Sequence, residues 1–116
     1  NVCAVYLGGF CNHLRREFLM KVYESESAKE YFHYGDIDAG GFYIFEHLRT
    51  TTGIPFAPLM MNVDTLRKYK PYWKELTKND VSRLQKIKSP IFQEEIAFMI
   101  KENCKLEQEA ETLDGE

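Results

Sequence analysis

Long apolar runs are absent from this chain of 116 residues, and this absence argues against one broad class of protein. No stretch approaches the roughly 20 consecutive apolar residues that a membrane-spanning helix needs. The opening residues also lack the pattern of a secretory signal peptide. We therefore predict that the chain has no membrane partner.

Cysteine is scarce as well, since the chain contains only Cys3, Cys11 and Cys104. An odd number argues against a disulfide framework, and the missing Cys-x-x-Cys spacing argues against a zinc site. Free thiols are typical of a reducing compartment. We predict a cytoplasmic protein with buried or half-buried free cysteines.

A large net charge is the third absence. The formal net charge of −3 does not by itself indicate a partner such as nucleic acid. The charges are nevertheless unevenly distributed, because eight basic residues lie between Arg67 and Lys88 whereas six acids and one base lie between Glu102 and Glu116. The basic middle and the acidic end could therefore face different partners.

The basic run also contains Tyr69, Tyr72 and Trp73. Basic side chains bind the phosphates of a nucleic-acid backbone and aromatic rings stack on bases, so the run is a candidate nucleic-acid-contacting surface. A solvated helix face over ordinary core aromatics explains the same residues equally well. The candidate contacts are Arg67, Lys68, Lys70 and Lys74.

Hydrophobic residues make up 44% of the chain, which is enough for the core of one domain. We place this domain at residues 1–111, with an α/β part at 1–63 and a helical part at 64–111. Residues 112–116 are predicted to form a disordered tail. Because the chain starts at Asn1 rather than Met, we interpret it as a piece of a longer protein.

Strands and helices alternate in the α/β part. Strands are predicted at 3–7, 31–34 and 54–61, and Pro55 and Pro58 indicate that the last one is an edge or irregular strand. Alternation of strand and helix with short links is typical of a parallel sheet with right-handed crossovers. The fold class predicted for the chain is therefore α/β, with a Rossmann-like parallel sheet and flanking helices.

The first predicted helix begins near Asn12, and the second begins at Gly40 and ends at Gly53. The apolar face of the first helix is formed by Leu14, Phe18, Leu19, Val22 and Tyr23.

The helical part contains three start signals, at Asp64-Thr65, at Thr77-x-x-Asp80 and at Ser89-Pro90. We expect the last helix to continue past Cys104 toward Leu106.

Two aspartates one residue apart, Asp36 and Asp38, follow the second strand. Ligands bind at the carboxyl end of strands in α/β proteins, and strand alternation sends both side chains to the same side. Two neighbouring carboxylates need a cation or a proton to offset their repulsion, and Mg²⁺ or Mn²⁺ suits them. The alternative is that both are turn or helix-capping residues, which aspartate also favours.

Glycine pairs follow the first two strands, at Gly8-Gly9 and at Gly40-Gly41. A residue without a Cβ lets a phosphate approach the backbone amides, most favourably at a helix start. A plain tight turn is the other interpretation of Gly8 and Gly9. His33 is predicted to be packed in its strand, and no histidine is assigned as a general base.

One extended motif connects these features, and it reads Tyr34-Gly-Asp36-Ile-Asp38-x-x-Gly41-Phe-x-Ile44-x-x-x-Leu48-Arg49. This motif resembles the Gly-Asp-x-Asp strand–helix unit of the Toprim-fold C-terminal domain of the Wadjet anti-plasmid nuclease subunit family. That domain is related to the Toprim domain of type IIB topoisomerases. Supporting matches are Leu59-Met-Met, Thr65-Leu66, Leu76-Thr77 and the ending Leu106-Glu-Gln-Glu109.

The resemblance implies a Mg²⁺- or Mn²⁺-dependent DNA endonuclease acting in bacterial plasmid or phage defence. It makes Asp36 and Asp38 the metal-binding and catalytic pair, with Glu107 and Glu109 as possible additional acids. The implied partners are DNA, the other subunits of a defence complex built on an SMC-like ATPase, and a second copy of the parent protein.

The chain departs from the family pattern in one respect. The family's catalytic glutamate follows a strand that precedes the one opening this chain, and no residue here matches it. We therefore expect that this strand of the fold is missing and that the isolated fragment is inactive.

Two other functions stay open. One is a non-catalytic DNA-binding or complex-assembly module that keeps the fold without the chemistry. A haloacid-dehalogenase-type phosphatase also has Asp-x-Asp after a strand, but Gly40 stands where that family has Thr or Val.

Overall fold

The computed structural model describes residues 2–7, 9–25 and 30–107. Its sheet has three parallel strands in the order β1-β2-β3. The strands are β1 (Val2–Tyr6), β2 (Glu30–Tyr34) and β3 (Ala57–Pro58). This architecture confirms the predicted α/β class with a parallel sheet.

Five α-helices accompany these strands in the described residues, and two short 3-10 turns, Lys70–Tyr72 and Pro90–Phe92, link the later ones. The helices are α1 (His13–Glu24), α2 (Ala39–Thr52), α3 (Val63–Lys68), α4 (Lys78–Lys86) and α5 (Gln93–Glu102). Within this part of the chain no helix is long and apolar enough to cross a membrane.

Strand β2 is the centre of the sheet. It pairs with β1 over its whole length, from Val2 opposite Glu30 to Tyr6 opposite Tyr34. Its pairing with β3 is limited to two residues. Pro55 and Pro58 have no backbone N–H, so they cannot donate a hydrogen bond to a neighbouring strand. The carboxyl end of β2 therefore lies between its two neighbours, where ligands bind in sheets of this kind.

The core is built around helix α2, whose Phe42, Phe45 and Leu48 are completely buried. Phe92 stacks on Phe42 with ring centroids 4.2 Å apart and meets Phe45 edge-on at 5.1 Å. The three rings tie α2 to the turn that precedes α5. Helix α2 is thereby fixed against the C-terminal part of the chain, and its first turn starts at Asp38.

The apolar face predicted for the first helix packs only in part. Leu19 is buried, whereas Leu14 is 75% exposed and Phe18 66% exposed. Strand β1 beneath this face is also largely open, with Val2 and Tyr6 exposed. The periodicity therefore predicted the helix correctly, but the described residues cover only part of its apolar face.

The start predicted for α4 agrees with the structure, whereas the start predicted for α3 differs from it by two residues. Thr77 and Asp80 form the predicted capping box at α4, with Thr77 N–H donating to Asp80 Oδ2 and Asp80 N–H donating to Thr77 Oγ1. The cap of α3 is Asn62, whose side chain accepts from Thr65 N–H, so the signal predicted at Asp64 lies two residues too late. Both caps satisfy backbone N–H groups that a helix start leaves unpaired.

The end predicted for the last helix is wrong. Helix α5 stops at Glu102, because Asn103 adopts the left-handed conformation with φ of 53° and its amide donates to Met99. The Asn103 side chain then accepts from Leu76 N–H at 3.2 Å. Leu106 then forms an isolated antiparallel β bridge with Ile37 instead of continuing the helix.

The three cysteines are free, as predicted. Cys11 and Cys104 are buried, and burial raises the pKa of the Cys104 thiol to about 11. Cys104 is therefore an apolar core residue at physiological pH.

His33 lies in β2 with no exposed surface, which confirms the prediction that it is packed. Neither ring nitrogen has a hydrogen-bond partner among the described residues. Burial lowers the pKa of the imidazole to about 4, so His33 is neutral at physiological pH.

We predict that His33 makes the fold acid-sensitive. The unfolded histidine binds a proton below about pH 6.5, whereas the folded one does so only near pH 4, so protonation favours the unfolded chain as the pH falls between these values. The free energy of unfolding should drop by about 3 kcal/mol over this window. Urea denaturation at several pH values measures it, and a variant His33→Phe with an unchanged pH dependence would contradict the assignment.

A second prediction concerns Gly41, where an added Cβ would overlap the backbone oxygen of Asp36. Gly41→Ala should lower the free energy of unfolding by about 2 kcal/mol or more, because the tight link between β2 and α2 must open. Gly40→Ala is the matched control, since its Cβ meets only Asp38 Oδ1 at 3.5 Å. The control should be neutral or slightly stabilising, and equal losses for both variants would refute the packing argument.

Candidate metal site

The alternation of β2 continues beyond the end of the strand. From residue 31 to residue 40, odd-numbered positions are buried and even-numbered positions are partly exposed. Ile37 is 1% exposed and faces the core, while Asp36 and Asp38 lie on the opposite side. The backbone therefore presents both carboxylates on the same face, as the sequence predicted.

The C-terminal segment of the described chain runs directly beside this acidic pair. Ile37 N–H donates to Leu106 O at 2.8 Å, and Leu106 N–H donates to Ile37 O at 3.1 Å. Lys105 makes the same exchange with Lys74 on the other side, at 2.8 and 3.0 Å. Residues 105–106 thus lie between residues 36–38 and the chain around Lys74, and they form one antiparallel β bridge with each.

The Ile37–Leu106 pairing places two further side chains next to Asp36 and Asp38. Leu106 is buried beside Ile37, so the half-exposed Lys105 and Glu107 flank it as the two aspartates flank Ile37. In the antiparallel register, Lys105 lies opposite Asp38 and Glu107 lies opposite Asp36. Glu107, which the sequence offered as an additional acid, is therefore brought to the site.

Two ion pairs surround the acidic pair. Lys105 Nζ lies 2.7 Å from Asp80 Oδ2, and Lys74 Nζ lies 2.8 Å from Glu107 Oε1. Burial acts to raise the pKa of Asp80, but hydrogen bonds from Lys105 and Thr77 outweigh it and lower that pKa. Asp80 is therefore a firmly ionised partner for Lys105.

Asp38 is also the N-cap of α2, as the alternative interpretation of the motif predicted. Its Oδ1 accepts from Gly41 N–H at 2.7 Å. Burial raises the pKa of the Asp38 carboxyl, and the charge of Asp36 adds to this effect, whereas the Gly41 hydrogen bond and Lys105 act in the opposite direction. One capping bond leaves acceptor capacity on a carboxylate, so capping and metal binding are compatible.

The carboxylates of Asp36 and Asp38 are the candidate ligands for a metal ion at this site. Among residues 2–7, 9–25 and 30–107, no group of three or more His, Cys, Asp or Glu side chains is placed to hold an ion. Asp36 and Asp38 are the residues that could hold a Mg²⁺ ion, since that ion is bound by one or two carboxylates together with water and phosphate oxygens. A partly buried acidic pair with a raised Asp38 pKa also gains from a nearby cation.

The predicted glycines have different surroundings. Gly8 lies outside the described residues, and Gly9 has open space where a Cβ would stand. Gly40 lies in the first turn of α2, and Gly41 is packed against Asp36 with its amide held by Asp38. A phosphate approach at these glycines stays a prediction, and close packing gives an independent reason for glycine at position 41.

The basic run does not converge on one surface. Arg67 and Lys70 line a cavity of about 370 Å³ together with Trp73, Phe98, Lys101 and Glu102. Lys68 stands over the Tyr69 ring at 5.2 Å, and Lys74 pairs with Glu107. Of the four predicted contacts, only Lys74 is therefore near the acidic pair.

Sequence reasoning did not find Lys105 and Asp80. Both had visible local features, since Lys105 is the single base in an acidic stretch and Asp80 belongs to a capping box. Their contact with each other depends on the β pairing of residue 105. The remaining predicted acid, Glu109, lies outside the described residues.

The fold and the site together define a class of protein. It is an α/β domain with a parallel sheet. Two carboxylates follow the carboxyl end of its central strand, and ligands bind at this end in sheets of this kind.

Comparison with known proteins identifies the family. The chain matches the family described as "Wadjet protein JetD, C-terminal" over residues 1–115. Wadjet protein JetD of Bacillus cereus (strain Q1) is 31% identical over 115 residues, which cover 94% of this chain and 28% of that protein. The chain belongs to the Wadjet JetD C-terminal family, and it spans little more than a quarter of the curated relative.

The capping role of Asp38 leads to a prediction about stability. Asp38→Asn keeps a capping oxygen and should retain the free energy of unfolding, whereas Asp38→Ala should lose about 1 kcal/mol because the Gly41 amide loses its acceptor. Urea denaturation of the two variants measures the difference. Equal stability of Asp38→Ala and the unmodified chain would show that the capping bond contributes nothing.

Proposed function

We propose that this chain is the metal-holding part of a DNA endonuclease subunit that acts in a bacterial plasmid-defence complex. The proposal combines the membership in the Wadjet JetD C-terminal family with the acidic pair at the end of β2. The observation that supports it most is that Asp36 and Asp38 share one face at the carboxyl end of the central strand.

The chemistry assigned to the site is metal-assisted cleavage of a phosphodiester bond. A bound Mg²⁺ or Mn²⁺ supplies charge stabilisation at the reacting phosphate or activates a water. Asp36 and Asp38 would hold it, and α2 orients Asp38 through the Gly41 amide. In this proposal Glu107 lies beside the pair and is held by Lys74.

The Toprim relationship is part of the same proposal. It implies that a glutamate on a strand upstream of β1 completes the catalytic set. Under this proposal the partners are DNA and the other subunits of a defence complex with an SMC-like ATPase, in the cytoplasm. Pairing of two parent proteins is a further element of this proposal.

A non-catalytic module is the second candidate, and one observation favours it. The hydrogen bond between Asp38 and the Gly41 amide explains an aspartate at this position without any metal. In that case the fold would serve DNA binding or assembly of the complex. The two candidates differ in whether the acidic pair binds a divalent ion.

Metal binding is therefore the first prediction for this function. Calorimetric titration of Mn²⁺ into the full-length protein that contains this chain should show a site that Asp36→Asn weakens by about tenfold or more, because one of two anionic ligands is lost. Asp64→Asn is the matched control, since that carboxylate is 91% exposed and lies on α3. Binding that is equal in both variants would place the ion elsewhere.

Plasmid cleavage is the second prediction. In the full-length protein with its partner subunits, Asp36→Asn should slow cleavage of supercoiled plasmid by about 100-fold or more, since a bound metal supplies several kcal/mol of charge stabilisation. The Asp64→Asn protein should cleave at the normal rate. A well-folded Asp36→Asn protein that nicks plasmid normally would favour the non-catalytic module.

A further inference from the structure

We propose that Lys105 is the cationic residue of this site, binding a non-bridging phosphate oxygen of the DNA next to Asp36 and Asp38, and that Asp80 positions it. This inference rests on the proposed function and adds two residues to it. Lys105 would neutralise charge that develops on the phosphate, in concert with the metal.

The backbone of Lys105 is fixed on both sides. Its N–H donates to Lys74 O at 2.8 Å and its carbonyl accepts from Lys74 N–H at 3.0 Å. The next residue, Leu106, makes the corresponding pair of bonds with Ile37. Lys105 is therefore held in register with Asp38, as a residue that contacts a substrate must be.

The side chain is held as firmly as the backbone. Lys105 Nζ lies 2.7 Å from Asp80 Oδ2, and the two side chains are only 20% and 13% exposed. Asp80 is itself fixed by Thr77 N–H at 2.8 Å in the capping box of α4. The Lys105 ammonium is therefore held in one place by a carboxylate that is itself fixed, as a residue that positions a substrate must be.

The charge of Lys105 reaches the acidic pair. It acts to lower the pKa of Asp38, while the charge of Asp80 acts to raise it. An ammonium group carries three donors, and Asp80 accepts one of them. Lys105 can therefore keep its bond to Asp80 while it donates to a phosphate oxygen beside Asp38.

Other basic residues fit this role less well. Lys74 already pairs with Glu107 and its side chain is 56% exposed. Arg67 and Lys70 line a separate cavity. Among the described basic residues, Lys105 alone combines an ion pair that is mostly buried with a position opposite Asp38.

The experiment compares Lys105→Met, Lys105→Arg and Asp80→Asn in the full-length protein, with Mn²⁺ affinity measured by calorimetry and plasmid cleavage measured at saturating Mg²⁺. Lys105→Met should bind Mn²⁺ severalfold more tightly, because a positive charge beside the carboxylates is gone. It should nevertheless cleave about 10- to 100-fold more slowly, since a hydrogen bond to a charged group is lost. Lys105→Arg should recover most of the cleavage rate.

Asp80→Asn tests the positioning role. It leaves Lys105 with its charge but without its anionic partner, so Lys105 should turn toward Asp38 and weaken Mn²⁺ binding severalfold. Opposite shifts in Mn²⁺ affinity follow from the charges of the two residues alone, so the cleavage rate at saturating Mg²⁺ is the deciding measurement. Slow cleavage by Asp80→Asn, with most of the rate retained by Lys105→Arg, supports the proposal. Normal cleavage by Asp80→Asn, or a Lys105→Arg protein as slow as Lys105→Met, overturns it.

The matched control is Lys21→Met, because Lys21 is an exposed lysine in the last turn of α1. It should change neither measurement. Normal cleavage by Lys105→Met would overturn the role of Lys105 while the proposed function stands. An unmodified protein that neither binds Mn²⁺ nor cleaves plasmid would overturn both.

Discussion

The exchange of two hydrogen bonds between Ile37 and Leu106 is the interaction on which the site depends. It fixes the end of β2 against a segment that is distant in sequence, and both side chains are buried beneath it. Because β residues alternate in direction, burying these two places Asp36, Asp38, Lys105 and Glu107 on the opposite face. A shift of the C-terminal segment by one residue in this register would turn Lys105 and Glu107 away from Asp36 and Asp38.

Two of the acidic residues at the site, Asp38 and Asp80, also cap helices. Asp38 belongs to α2 as its cap, and Asp80 belongs to α4 as part of its capping box. Each therefore has a local hydrogen bond that orients its carboxylate before any ligand arrives. Lysines supply the opposing charge, Lys105 to Asp80 and Lys74 to Glu107, while burial raises the pKa of the Asp38 carboxyl.

Features with local causes could be predicted from the sequence. The parallel sheet, the shared face of Asp36 and Asp38, the packed His33 and the Thr77–Asp80 capping box follow from alternation and capping chemistry. The end of α5 was missed, although Asn103 has the residue type that favours a left-handed helix end. The role of Lys105 could not be predicted, because its position depends on a pairing between distant segments rather than on its neighbours.

That distance has a consequence for how the protein is made. A ribosome releases β2 and its two aspartates well before Leu106, so a nascent chain cannot yet hold Lys105 beside them. The end of β2 therefore gains this partner only when the segment around Leu106 pairs with Ile37, after nearly the whole described chain has been synthesised.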